Sequence, residues 1–251
     1  MRDEGNTDGE GRITGAARVM DASSTSTGFA PRLAVVGATQ TVDAAVIDRP
    51  LADLREGVGP SRGAALAKRL FDLAFALVLL LLLTPTLLVI SVAILIADGR
   101  PVLFSQDRVG LGGRVFRMYK FRTFPVDHVD DVHSRPLSDC PSRLGRLLRR
   151  TSLDELPQLF NVIRGDMSVV GPRPERSHFV SSLEGDMPSY GERHRMRGGI
   201  TGLAQIKGYW GQTDLAERVR LDNEYIDDWS VGRELTILVR TVPAVVRKLV
   251  A

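Results

Sequence analysis

Asp154 and Glu155 are adjacent carboxylates with Arg149 and Arg150 just before them and Arg173 not far beyond. They sit in TSLDELPQLFNVIRGDMSVVGPRPE, residues 151–175, the stretch richest in residues that could do chemistry. Ser152 followed three residues on by Glu155 has the spacing of a capping box. The pattern predicts a helix from near Leu153 to a left-handed stop near Gly165, with both acids in its first turn. Acids there complement the helix dipole for about 0.3–1 kcal/mol each and need no further role. The same field keeps a carboxylate ionised, as an attacking or metal-binding aspartate must be. Arg149, Arg150 and Arg173 add positive charge if the turn Gly171-Pro172-Arg173-Pro174 folds back. A carboxylate pair, several arginines and a helix N-terminus together describe a site for a diphosphate bridged by Mg²⁺.

The elements that would carry this site can be read coarsely. Val102–Val109 and Arg114–Phe124 read as strands around a Gly110–Gly113 turn, a plausible hairpin. Residues 125–141 read as a loop. Arg143–Arg150 places Leu144, Leu147 and Leu148 on one helical face with arginines around the other, which suits a membrane surface. Met167–Val170 is strand-like, and Gly171–Pro174 is a rigid extended turn. Ile200–Ile206 reads as a short strand and Asp214–Trp229 as a helix. A last helix carries Leu235, Leu238, Val242, Val245, Val246 and Leu249, with Arg240, Arg247 and Lys248 between them; it lies on a bilayer or closes the core.

Upstream, Leu73–Ala97 is apolar and uncharged, interrupted only by Thr84, Thr86 and Ser91, with Pro85 at its middle. As a helix it would measure about 37 Å, enough to cross a hydrocarbon core of ~30 Å. Pro85 predicts a kink. Arg55, Arg62, Lys68 and Arg69 flank one end and Arg100, Arg108, Arg114 and Arg117 the other. That symmetry gives no orientation and favours a re-entrant segment over a span. The chain as a whole is 25% charged, with a net charge of +3 and a single cysteine, Cys140, so an internal disulfide framework and a cysteine-rich zinc site are excluded. The basic cluster beside the apolar run suits anionic headgroups or phosphorylated ligands. Residues 1–60, poor in large side chains and without a signal-peptide pattern, read as mostly disordered, apart from an isolated strand within Arg32–Gly37.

Four blocks in order then carry a resemblance. They are Lys68–Asp72 leading to Thr84-Pro85; Phe104–Gly110 through Tyr119-Lys120-Phe121-Arg122-Thr123; Thr151–Gln158 through Gly171–Pro174; and Ile200–Ile206 with Leu221-Asp222 and Tyr225. Over residues 66–250 the chain resembles the bacterial sugar transferases that act as monotopic polyprenyl-phosphate phosphoglycosyl transferases, in their small form. The resemblance implies an α+β monotopic membrane protein. A disordered region (1–60) would precede a re-entrant membrane helix kinked at Pro85 (66–98) and a small cytoplasmic α/β catalytic domain with amphipathic surface helices (99–251). Lys68, Arg69, Thr84 and Pro85 would be its membrane residues, on the cytoplasmic face of the inner membrane.

The resemblance further implies that Asp154 attacks the β-phosphate of a UDP-sugar, releasing UMP and leaving a phosphosugar on the enzyme. Undecaprenyl or decaprenyl phosphate would then accept the sugar phosphate, as the first membrane step of exopolysaccharide assembly. Glu155 would help Asp154 hold Mg²⁺ or handle protons, Pro172, Arg173 and Pro174 would contact the nucleotide, and Lys120, Arg149 and Arg150 the phosphates. Thr84 stands where serine is common and Phe124 where methionine is. Gly199 precedes Ile200 where the family often has Pro-Gly, which should loosen that turn. Gly208–Asp214 leans toward hexose-1-phosphate transfer.

Other residues invite plainer readings. His128, His133, His178 and His194 lack metal-ligand spacing and belong on loops, while Trp210 and Trp229 are interfacial anchors or core. The rival reading is a bitopic anchor whose basic domain binds nucleic acid, but no aromatic-basic face supports it, so we expect no nucleic-acid partner. A homo-oligomer is compatible with the sequence.

Overall fold

The computed structural model describes residues 35–38, 62–124, 142–177, 180, 183, 187, 189–210 and 214–250. The expectations for residues 1–34 and 39–61, Arg55 among them, for the loop at 125–141, and for Cys140, His128, His133 and His178 lie outside them. Helix α1 (Arg62–Ala97) is helical throughout, with Pro85 inside it. Pro85 offers no N–H to the Leu81 carbonyl one turn back, and Thr84 Oγ1 donates to Leu80 O at 2.7 Å. The helix is long and apolar enough to cross a membrane, and only 11% of its most apolar stretch is buried. Leu77, Val78, Leu81, Leu82, Leu88, Val89, Val92 and Ile96 are exposed, and their spacing puts them along one side.

The other side of α1 packs against the protein in two patches. Phe75, Ala76, Leu79 and Leu80 join a core built from Met118, Leu159, Val162, Val170 and Ile237. Further on, Leu87, Ile90 and Ile94 join a second cluster with Phe121, Leu148, Leu153 and Leu156. Two residues expected at the headgroups serve inside instead. Lys68 is 7% exposed; its Nζ contacts Glu234 at 2.5 Å and Val170 O at 3.2 Å. Arg69 donates to Val162 O and Ile163 O at 2.6 and 2.9 Å, satisfying carbonyls near the end of a helix. A buried ammonium needs a carboxylate more than a headgroup does, so the flank count overstates the surface charge.

Strand β1 (Val35–Ala38) pairs in parallel with β2 (Leu103–Val109), so it is not an isolated strand. A three-residue turn, Leu111–Gly113, leads into β3 (Val115–Phe121), antiparallel to β2 with Phe104 opposite Lys120. This is the expected hairpin. Helix α2 (Arg143–Thr151) starts on Ser142, whose hydroxyl accepts from Gly145 N. The helix expected from Leu153 does not form as such. Ser152 adopts φ 58°, the left-handed region, and closes α2. Leu153–Glu155 then makes one 3₁₀ turn, and α3 (Gln158–Arg164) begins only after Pro157. In an α-helix begun at Leu153, residue 157 would have to donate to the Leu153 carbonyl, and proline cannot. Gly165, at φ 93°, is the left-handed stop the sequence predicts.

Strand β4 (Ser168–Val170) pairs in parallel with β5 (Gly199–Thr201). The expected strand to Ile206 ends at Thr201, and α4 (Leu203–Ile206) follows. Helix α5 (Leu215–Asp227) is capped by Asp214, and α6 (Val231–Val250) closes the described chain. Asp72 accepts from Ser168 Oγ and Val169 N at 3.0 Å each. Glu234 also accepts from Tyr225 Oη and Trp229 Nε1. One buried polar network thus joins α1, β4, α5 and α6. Glu234→Ala would leave buried Lys68 with Asp72, 3.6 Å away, as its acid partner, and should cost about 3 kcal/mol of unfolding free energy. Thermal unfolding of detergent-solubilised protein would read this; an unchanged midpoint would mean that the network does not hold α1 in place.

Candidate active site

The turn carrying Asp154 and Glu155 is gripped from both sides. Leu153 and Leu156 bury against Ile90, Ile94, Phe121 and Leu148, leaving the two acids between them to face the opposite way. Glu155 is fully engaged. Lys120 Nζ donates to its Oε1 at 2.9 Å, Arg173 Nη2 to the same oxygen at 2.7 Å and Arg173 Nη1 to Oε2 at 3.3 Å. Burial alone would raise the Glu155 pKa, but Arg173 and Lys120 hold it well below the usual carboxylate range. Among the described residues no ion pair closes on Asp154. Burial is the largest influence on it and pushes its pKa up to about 6, against the pull of Lys120, Lys248 and Arg149 and with the repulsion of Glu155. Asp154 lies ahead of α3, not in its first turn as the sequence suggested.

Arg173 is held by its backbone as well as by Glu155. Gly199 N donates to Pro172 O at 2.8 Å, Arg193 Nη2 to Arg173 O at 2.9 Å and Arg108 Nη1 to Pro174 O at 3.0 Å. Arg193 is itself buried and paired with Asp222 at 2.5 Å, while Arg218 pairs with Glu175 at 2.8 Å. A Cβ at Gly198 would collide with the Pro174 ring, and one at Gly199 with the Gly171 backbone. Glycine at 199 therefore does not loosen the turn; it lets two backbone segments approach closely enough to fix Arg173.

The remaining expected residues divide. Lys120 is buried on β3, its pKa lowered by burial against the opposing pull of Glu155 and Asp154. Arg149 lies over the Phe124 ring at 5.1 Å and contributes to the field at Asp154. Arg150 turns away, donating to Leu249 O through Nε and Nη2. His194 is buried beside Tyr190 within the short Gly191–Arg195 helical turn, not on a loop, and burial lowers its pKa to about 4. Two residues escape sequence reading. Lys248, in the last turn of α6, donates to Ser152 Oγ at 2.8 Å and to Arg149 O at 3.3 Å, and lies 5.2 Å over the Trp210 ring. Asn161 is wholly buried and bonds Tyr119 N and Arg117 O, locking α3 to β3 beside Lys120. Neither follows a motif, since both depend on partners far away in sequence.

Lys120, Arg149, Arg173 and Lys248 thus surround a buried aspartate on which no ion pair closes among the described residues, a cationic surrounding with the chemistry to take phosphate oxygens. The family model for bacterial sugar transferases matches residues 63–248. The chain belongs to that family. A "UDP-glucose:undecaprenyl-phosphate glucose-1-phosphate transferase" of Caulobacter vibrioides is 43% identical over 202 residues, covering 77% of this chain and 75% of that protein. An "Undecaprenyl-phosphate glucose phosphotransferase" of Komagataeibacter xylinus is 44% identical over 187 residues, covering 70% of this chain but 35% of the larger protein. An "Exopolysaccharide production protein PSS" of Rhizobium leguminosarum is 39% identical, covering 70% and 92%.

Carboxyl-carbon NMR of Asp154 should show a titration midpoint of about 6. Lys120→Met removes a cation that favours the ionised form, so the midpoint should move higher. An ordinary aspartate midpoint in both proteins would contradict the desolvation of Asp154.

Proposed function

We propose that this sugar transferase moves a sugar 1-phosphate, most simply a hexose 1-phosphate, from a UDP-sugar to undecaprenyl phosphate, in exopolysaccharide assembly. The names of the relatives support the donor and acceptor classes. The observation that carries the mechanism is the division of labour between the two acids: Glu155 holds Lys120 and Arg173, and Asp154 stays open. In the first step a carboxylate oxygen of Asp154 attacks the β-phosphorus of the donor. The bond from that phosphorus to the bridging oxygen breaks, and UMP leaves. In the second, a phosphate oxygen of the lipid attacks the same phosphorus, and the bond to Asp154 breaks, restoring the carboxylate. Arg173, Arg149 and Lys248 offset the charge that gathers on the phosphoryl oxygens.

Mg²⁺ fits this donor set in part. Asp154 offers an open carboxylate, and such ions take one or two carboxylates along with substrate phosphates and water. Glu155 would have to release Lys120 or Arg173 to join it. Among the described residues no cluster of three or more His, Cys, Asp or Glu side chains forms a larger metal cage. When bound, the ion would neutralise part of the diphosphate charge.

The membrane arrangement follows from α1. Both halves of the helix pack on one body, from Lys68 near its start to Ile94 near its end. A straight 26-residue separation is about 39 Å, longer than a hydrocarbon core. A transbilayer course would drag the Arg122 and Lys120 region through lipid, so we place the helix re-entrant in one leaflet of the inner membrane, entering and leaving by the cytoplasmic face. Pro85, which offers no N–H to the Leu81 carbonyl, is the natural place for it to bend.

Asp154→Asn should abolish UMP release from UDP-sugar while the protein stays with the membrane; unchanged turnover would remove Asp154 from the nucleophile's place, and UDP as the nucleotide product would refute the transfer. Turnover per donor should rise with pH through about 6 and level off, because Asp154 attacks only when ionised. A profile flat from pH 5 to 8 (roughly the range over which this group would titrate) would contradict it. Cysteines placed before Arg62 and after Val250 should both react with an impermeant reagent only after the cytoplasmic side is opened; labelling of one from outside would show a spanning helix.

A further inference from the structure

Between α4, the segment 207–210 and the end of α6 lies a cavity of about 340 Å³. Its charged walls are Lys207, Arg247 and Lys248, its apolar walls Ile206, Trp210 and Ala244, and among the described residues no carboxylate lines it. Cations over an apolar floor recognise an anion that carries a hydrocarbon body, and three of them suit a phosphomonoester better than a single charge. Lys248 belongs to both places, since its ammonium also binds Ser152 and lies in the field of Asp154. An anion seated on Arg247 and Lys248 would thus adjoin the phosphorus held by Asp154.

A larger cleft of about 700 Å³ shares Ile206, Lys207 and Arg247 with this cavity and adds Arg240 and Pro243. Its one acid, Glu217, is already paired with Arg220 at 2.6 Å. Pro243 follows Val242 and stands three and four residues from Val246 and Val239, all exposed, so the cleft opens beside the apolar stripe of α6. A hydrocarbon chain can leave the cavity along that stripe without crossing water.

We propose that this cavity seats the lipid-phosphate acceptor, its phosphate on Lys207, Arg247 and Lys248 and its first isoprene units against Ile206, Trp210 and Ala244. The inference rests on the transfer reaction above and adds the acceptor's place in it. The donor nucleotide then keeps the Arg173 side of the turn, and the two substrates approach Asp154 from different directions. The acceptor arrives as a dianion. Its oxygen bonds to the phosphorus, the bond to Asp154 breaks, and the total charge is unchanged with no proton to place.

The test combines Lys207→Gln with Arg247→Gln, and restores Arg247→Lys. Loss of two charge-assisted contacts should raise the KM for polyprenyl phosphate about tenfold or more, with the KM for the donor and the acceptor-independent burst of UMP unchanged. Arg247→Lys should recover part of the loss. Calorimetric binding of farnesyl phosphate in detergent, without donor, should weaken in parallel, and farnesol should bind neither protein measurably. A rise in donor KM instead would assign the cavity to the nucleotide sugar. A KM effect that only tracks lost binding to phosphatidylglycerol vesicles would make these cations general membrane contacts. Either outcome, or unchanged farnesyl phosphate binding, overturns the proposal. Production of UDP by the wild-type protein would instead overturn the transfer reaction, while the binding measurement still decides what the cavity holds.

Discussion

The contact on which the rest depends is the burial of Ile90 and Ile94 from α1 against Leu148, Leu153, Leu156 and Phe121. The same two leucines that flank Asp154 and Glu155 complete the packing of an apolar helix whose far side is exposed. Burying such side chains contributes roughly 1.5–3 kcal/mol each, so the turn that carries Asp154 and Glu155 cannot shift much without losing its grip on α1. Under the arrangement proposed above, the depth of α1 in the leaflet sets the height of Asp154 above the hydrocarbon. A lipid phosphate and a soluble nucleotide can then meet at one side chain, with neither leaving its own phase.

Electrostatics divides the labour at that turn. Two neighbouring carboxylates in a buried place repel, and each pays for desolvation. Glu155 recovers that loss through Lys120 and a two-point contact with Arg173. Asp154 does not, and its pKa stays raised. The pair thus holds one acid that orders the cations and one, Asp154, on which no ion pair closes among the described residues. Arg193, Arg108 and the glycines at 198 and 199 extend this order outward by fixing the backbone on either side of Arg173.

Much of the scaffold was legible because it rests on local pattern. The β2–β3 hairpin follows from two apolar runs around glycines, α2 from Leu144, Leu147 and Leu148, and the end of α3 from Gly165. Asp154 and Glu155 were legible as a chemical pair, and so was Arg173, through the proline-flanked turn. The capping-box spacing at Ser152 misled, although Pro157 four residues after Leu153 carried the correction. Lys248 and the Lys68–Glu234 pair were not legible at all. They join residues 96 and 166 positions apart, and only tertiary packing brings such groups together. Basic flanks misled for the same reason: a lysine beside an apolar run reads as a headgroup contact until its buried carboxylate partner is seen.

The most direct measurement is to incubate the protein with a UDP-sugar labelled in its β-phosphate, omit the lipid acceptor, quench, and map the label by peptide mass spectrometry. The expected result is one phosphosugar adduct on the peptide containing Asp154, chased into lipid when polyprenyl phosphate is added. Product formation with no adduct on that peptide, under conditions where UMP is released, would contradict the account.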